Sequence, residues 1–340
     1  MTLHKITRRT IFGALAALGL AGLAGSAIAE ERVSVALDWT PNTNHIGLFV
    51  AREKGFYSEA GIEVDILPYT DTSASTLVAS GVANFGVMGS ISLFTQRTAG
   101  ADLIGVYPVV QSETGRLVFM DNRADIQSPK DLDGKTYGGF GSAWEQALLS
   151  SIIRADGGKG EFRTVTLGTS AYQALENGAV DFTLEVYTWE GVKAELDGVK
   201  QRAFRYADFG VPDEHTTILG SSRAFLKDNG AAAEAFIKAT RQGYEYAVDH
   251  PDEATDLLIA ANKGMLTDRA LVRASLQALI DGNYLRTADG IAGVFDPQKM
   301  EAIGSFLFDA KILKDASGAV VNARPDFSSY YSNPCCALTD

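Results

Sequence analysis

Val33-Ser34-Val35-Ala36-Leu37 runs directly into Asp38-Trp39-Thr40-Pro41-Asn42-Thr43-Asn44-His45, and Ile46 to Lys54 follows as an apolar-periodic segment stopped by Gly55. The first run is short and apolar, as a buried strand is. The last has helical spacing and the glycine that commonly ends a helix. Strand, polar turn, helix is the opening unit of an α/β protein, and the chain repeats it. Glu63 to Leu67 reads as a strand, Ser73 to Ser80 as a helix with Gly81 just beyond it, and Phe85 to Met88 and Leu103 to Val110 as strands. Such alternation predicts a sheet of mostly parallel strands covered by helices.

A second block follows the same logic. Ser128-Pro129-Lys130-Asp131-Leu132 carries a capping serine and a first-turn proline. Lys135 to Gly138, Arg163 to Leu167 and Asp181 to Val186 read as strands, with helices at Trp144 to Arg154 and Ala171 to Asn177 between them. From Arg223 onward the chain is mainly helical: Gly230 to Val248, Glu253 to Ala261, Asp268 to Ile280 and Pro297 to Phe308. The expectation is two α/β lobes, one from residues 30–116 with 218–340 and the other from 117–217. The chain would cross between them near Thr114 to Phe119 and near Thr216 to Gly220. A ligand would then sit between the lobes, outside the carboxyl ends of strands.

The first 29 residues read as an export signal. Lys5, Arg8 and Arg9 precede an acid-free apolar run from Ile11 to Leu23, and Ala27-Ile28-Ala29 supplies a small-x-small cleavage pattern before Glu30. Thr7-Arg8-Arg9-Thr10-Ile11-Phe12 resembles a twin-arginine signal, with Ile11 where Phe is usual. An uncleaved anchor is the competing reading, since the run nearly reaches spanning length. We expect cleavage after Ala29 and a periplasmic protein. Of 340 residues, 30 are basic and 42 acidic, a net charge of −12; losing Lys5, Arg8 and Arg9 takes it to −15. That balance disfavours nucleic acid and anionic membrane as partners. The two cysteines, Cys335 and Cys336, are adjacent near the end and have no partners at metal-ligand spacing.

All three tryptophans stand beside a carboxylate: Asp38-Trp39, Trp144-Glu145 and Trp189-Glu190. A flat ring beside a hydrogen-bond acceptor suits a small, planar, amine-bearing heterocycle: the ring stacks and the carboxylate receives the amino hydrogens. Asp38 and Trp39 end the first strand, where Asn42 and Asn44 either cap the next helix or touch ligand, and His45 caps or edges the site. Gly138-Gly139-Phe140-Gly141 precedes Trp144-Glu145 between a strand and a helix. Its glycines either turn the chain or aim amides at a ligand; the spacing is not that of a dinucleotide fingerprint. In the third stretch Glu185 ends a strand with Tyr187, Trp189 and Glu190 just after. Glu185 lies between apolar neighbours, so it is either a buried acceptor that a ligand would satisfy, the reading we favour, or the edge of a solvated turn. His45, His215 and His250 have no serine elbow or cysteine partner, so no catalytic set is evident and no cofactor or metal is expected.

Asp38 to Ala51, Lys54-Gly55-Phe56-Tyr57, Gly61-Ile62-Glu63-Val64 and Ser128 to Leu132 resemble the thiamine-pyrimidine-precursor binding proteins of ABC importers, which are related to the thiamine pyrimidine synthases. The resemblance covers roughly Arg32 to Asp309. It implies a two-lobed periplasmic-binding-protein fold of type II that closes over a hydroxymethyl- or formylaminomethyl-pyrimidine. Trp39 would stack on the ring, Asp38 and Glu185 would accept its amino hydrogens, and Gly138 to Gly141 would contact the substituent. It also implies an ABC permease and its ATPase as partners, with the binding protein a monomer that meets the membrane only through the permease. The synthases carry a lysine that holds pyridoxal phosphate where Met88 stands, and a histidine consumed in the reaction where Ser92 stands. Their cysteine-rich iron motif would fall near Val211 to His215 and is absent. The synthase reading therefore loses its reactive groups. A riboflavin-like precursor, an alkanesulfonate or nitrate are the rival ligands, and an anion would need cleft arginines that the three motifs do not offer.

Overall fold

The computed structural model describes residues 31–333. The expected export signal and Cys335-Cys336 lie outside those residues. The strands are β1 Glu31–Ala36, β2 Ile62–Leu67, β3 Phe85–Gly89, β4 Ile104–Pro108, β5 Gly115–Met120, β6 Thr136–Gly139, β7 Arg163–Thr166, β8 Phe182–Val186, β9 Gln201–Arg205 and β10 Thr217–Ser221. The helices in the first half are α1 Ile46–Glu53, α2 Phe56–Glu59, α3 Ala74–Ala79, α4 Ser90–Thr98, α5 Ala143–Ala155 and α6 Ala171–Glu176. Those in the second half are α7 Val192–Leu196, α8 Arg223–Asp228, α9 Gly230–Asp249, α10 Pro251–Ala261, α11 Arg269–Asp281 and α12 Pro297–Asp309.

Two five-stranded sheets result, ordered β2-β1-β3-β10-β4 and β7-β6-β8-β5-β9. Each is mixed rather than purely parallel. β1 runs parallel to β2 and β3, but β10 is antiparallel to β3 and β4. In the second sheet β6 is parallel to β7 and β8, and β5 is antiparallel to β8 and β9. The reversed strand of each sheet is the first one laid down after the chain changes sheets. The segments read from sequence as crossings near Thr114 to Phe119 and Thr216 to Gly220 are thus mostly these reversed strands, and the connections themselves are residues 109–114 and 210–216.

Alternation along β1 explains how helices cover both faces of the first sheet. Val33 and Val35 enter a core shared with α1, α9, α10 and α11, whereas Ala36 enters a core with Leu93 and Phe94 of α4 and Met300 and Ile303 of α12. α1 and α9 approach at Gly47 and Gly243: a Cβ on Gly243 would lie 2.0 Å from the Gly47 carbonyl oxygen, so only glycine permits the contact. In the second sheet Leu117, Phe119 and Phe182 pack under α5, and Val118 packs with Leu175 of α6 on the other face. Among the described residues no helix is long and apolar enough to cross a membrane.

Candidate functional site

The turn after β1, the turn after β6 and the turn after β8 converge on one cavity of about 570 Å³ between the sheets. Of the residues singled out in the sequence, Asp38, Trp39, Asn42, Asn44, Gly139, Phe140, Trp144, Glu145, Glu185, Trp189 and Glu190 line it; His45, Gly138, Gly141 and Tyr187 do not. A hollow of about 590 Å³ between α2 and α9, lined largely by Ala60, Ala231, Ala235 and Ala239 with Glu234 and Lys238, gathers no strand ends. We place the candidate site in the interlobe cavity.

Asp38 is held from behind. His45 is fully buried in the 3-10 turn Thr43–His45, and its Nε2 lies 2.8 Å from Asp38 Oδ1. The backbone N–H of Asn42 donates to His45 Nδ1 at 3.3 Å, which leaves the ring proton on Nε2 for Asp38. His45 is therefore not a ligand edge; it orients a carboxylate that faces the cavity. Asn42 caps the same turn, accepting from the Asn44 amide at 2.9 Å. Beside Asp38, the Trp39 ring meets Tyr69 at 5.4 Å and Phe140 edge-on at 6.0 Å between centroids. Phe140 belongs to the other sheet's turn and is 53% exposed, so Trp39 and Phe140 close an aromatic contact across the cleft.

The glycines of the second turn have structural causes. A Cβ on Gly138 would press on Val180 at 3.1 Å, and one on Gly139 would strike the Tyr137 hydroxyl. Gly141 turns with φ +74°, where a Cβ would also lie 2.5 Å from Thr166 Oγ1. Glu145 is consumed locally. Its two oxygens accept from Tyr137 Oη at 2.7 Å, the Phe140 amide at 3.1 Å, and Ser142 N and Oγ at 2.7 and 2.8 Å. Four donors fill the acceptor capacity of a carboxylate and cap α5, leaving nothing for a ligand. The sequence reading of Glu145 as a ligand acceptor is corrected.

Glu185, expected to lack a partner, has partners within the protein. It faces Arg116 across the β5–β8 register; Arg116 donates from Nε at 2.7 Å and from Nη2, and Gln201 Nε2 donates at 2.7 Å. Burial still holds its carboxyl above the ordinary range, against the pull of Arg116. Tyr187 stacks on the Arg116 guanidinium at 4.3 Å and does not line the cavity. Glu190, in the π-helical turn Tyr187–Gly191, is held only by backbone amides: it accepts from Val186 at 3.3 Å and from its own N–H, and burial pushes its carboxyl up to about 7. Trp189 in the same turn lines the cavity and packs against the first sheet's core.

The sequence reading missed the cavity's floor. Glu113 and Glu214, one from each connection between the sheets, meet there. Glu214 is buried and accepts from Ser90 Oγ at the start of α4. Burial and the Glu113 charge raise its carboxyl well above the usual range, and Glu113 is raised by burial too. Ser92 and Tyr172 also line the cavity. Among the described residues no Lys or Arg lines the cavity, and no group of three or more His, Cys, Asp or Glu is set to hold a metal.

Two mixed α/β lobes, each with one reversed strand and joined by two connections around a deep cleft, define the periplasmic-binding-protein fold. The alkanesulfonate-binding protein SsuA of Xanthomonas axonopodis pv. citri, solved with MOPS, has that fold: TM-score 0.66 at 15% identity, over 89% of this chain and 98% of that one. The chain belongs to the family described as NMT1/THI5 like, which it matches over residues 42–254. It is similar to the formylaminopyrimidine-binding protein of Halalkalibacterium halodurans, 29% identical over 286 residues, 82% of this chain and 85% of that one. It is also similar to the 4-amino-5-hydroxymethyl-2-methylpyrimidine phosphate synthase of Legionella pneumophila, 24% identical over 254 residues, 70% of this chain and 76% of that one.

Proposed function

We propose that this protein is the solute-binding subunit of an ABC importer, working in the periplasm and capturing a thiamine-related aminopyrimidine between its lobes. The observation that carries the reading is the cavity's chemistry. Aromatic faces at Trp39, Phe140, Trp144 and Trp189 accompany carboxylates with spare acceptor capacity at Asp38 and Glu190, and no Lys or Arg lines the wall among the described residues. A planar ring stacks on the aromatics, and its exocyclic amine donates to Asp38 and Glu190 rather than to Glu185. The relationship to a formylaminopyrimidine-binding protein supports the same ligand class. Closure over the ring would present a surface to a permease and its ATPase.

Binding without reaction is the companion proposal. Met88 packs over Gly220 in the core and Ser92 hydrogen-bonds to Gln96 at 2.9 Å, so neither offers an amine or an imidazole to the cavity. Calorimetric titration of the purified protein with hydroxymethyl- and formylaminomethyl-aminopyrimidines tests the reading, with riboflavin and MOPS as comparisons. Saturable binding of a pyrimidine, weakened at least tenfold in Trp39→Ala, is expected. Tight binding of MOPS or riboflavin with no pyrimidine response would discard the ligand and keep the fold.

A further inference from the structure

Thr43, Ser275 and Thr188 form a buried relay that ties together two turns belonging to different sheets; all three are at most 1% exposed. Ser275 sits on α11, whose Val272, Leu276 and Leu279 are anchored in the first sheet's core. Its hydroxyl donates to the Thr188 carbonyl oxygen, in the π-helical turn that follows β8 of the second sheet. Its oxygen lies 2.6 Å from Thr43 Oγ1, in the turn that follows β1. A carbonyl only accepts, so the single Ser275 hydrogen is committed to Thr188 and Thr43 must be the donor to Ser275. The chain of donation therefore has one direction, Thr43 to Ser275 to Thr188.

Each end of the relay lies within five residues of cavity-lining groups. Thr43 shares its turn with Asp38 and Trp39, and Thr188 directly precedes Trp189 and Glu190. A π-helical turn is an uncommon backbone form often found at functional sites, and here its Thr188 carbonyl is held from outside by Ser275. We propose that Ser275 is a positioning residue that sets the spacing between the two halves of the ligand site. It registers the Trp189-Glu190 turn of one lobe against the Asp38-Trp39 turn of the other. Ser275 touches no ligand in this account; it acts through the backbone at Thr188. The inference rests on the proposed site for its ligand, but its structural part is independent of which ligand binds.

The experiment compares wild type with Ser275→Ala and Thr43→Val in two readouts. Hydrogen–deuterium exchange on the ligand-free protein should show faster exchange of the amides at residues 187–191 in Ser275→Ala and, to a smaller extent, in Thr43→Val. Titration with hydroxymethyl-aminopyrimidine should show about a tenfold loss of affinity in Ser275→Ala, as loss of one buried hydrogen bond implies. The penalty of Trp189→Ala should then be smaller in the Ser275→Ala background than in wild type, since the turn is already misplaced. Unchanged exchange at 187–191, or penalties that simply add, would overturn the proposal. If no pyrimidine binds the wild type, the exchange result still decides the role of Ser275, and the ligand reading alone fails. Thr43→Val reads the relay from its other end should Ser275→Ala fail to fold.

Discussion

Single carboxylates carry the argument at this site, and their neighbours decide which of them is free. Glu185 and Glu190 stand five residues apart at the end of one strand, yet Glu185 is occupied by the side chains of Arg116 and Gln201 and Glu190 has only the backbone amides of Val186 and its own residue. Glu185→Gln should therefore cost about 2–3 kcal/mol of stability, because Arg116 loses its counter-charge, while ligand affinity changes little. Urea unfolding together with titration checks this; a large affinity loss at full stability would return Glu185 to the binding set. Glu190→Gln should do the reverse. The sequence showed the pairing of every tryptophan with an acid but not which acids were spent. Arg116 is 69 positions from Glu185, and only strand register brings them together. Glu113 and Glu214 were invisible for the same reason, lying on separate connections that meet only in the fold.

Elements were legible where local chemistry suffices. The helix after β1, the capping serine at Ser128, and the strand runs of β1 to β4 and β6 to β8 follow from periodicity and caps, whereas β9 was not read from the sequence. The reversed strands β5 and β10 were readable only as places where the chain changes lobes, since their direction comes from topology and not from pattern. The turn before α5 illustrates how one element uses up a motif. Glu145 satisfies Tyr137, Phe140 and Ser142 together, so Glu145→Ala should lower stability by roughly 1–3 kcal/mol and loosen the α5 start. Thermal unfolding with hydrogen exchange at residues 139–146 reads this out. Unchanged stability would mean that the cap is dispensable and the carboxylate is held for another purpose.

For the molecule as a whole, the buried acids predict a pH dependence. An acid whose folded-state pKa is raised stabilises the fold fully below its ordinary pKa and loses that contribution as pH rises through the folded value. For Glu190, with its carboxyl at about 7, ligand-free stability should fall between roughly pH 4.5 and 7 and level off above. The difference in urea midpoint between wild type and Glu190→Gln, followed across that window, isolates this contribution from carboxylates such as Asp125 and Asp181, which are shifted the other way. A difference that does not vary with pH would show that folding leaves the Glu190 pKa at its ordinary value. The central claim is that Asp38 and Glu190 receive the amino hydrogens of a planar ring. It is tested most directly by titrating wild type and Glu190→Gln with 4-amino-5-hydroxymethyl-2-methylpyrimidine and with its analogue lacking the amino group. The account predicts that removing the amine weakens binding to wild type by roughly 10- to 100-fold, with a clearly smaller penalty in Glu190→Gln. Equal affinity of wild type for the two rings would contradict it.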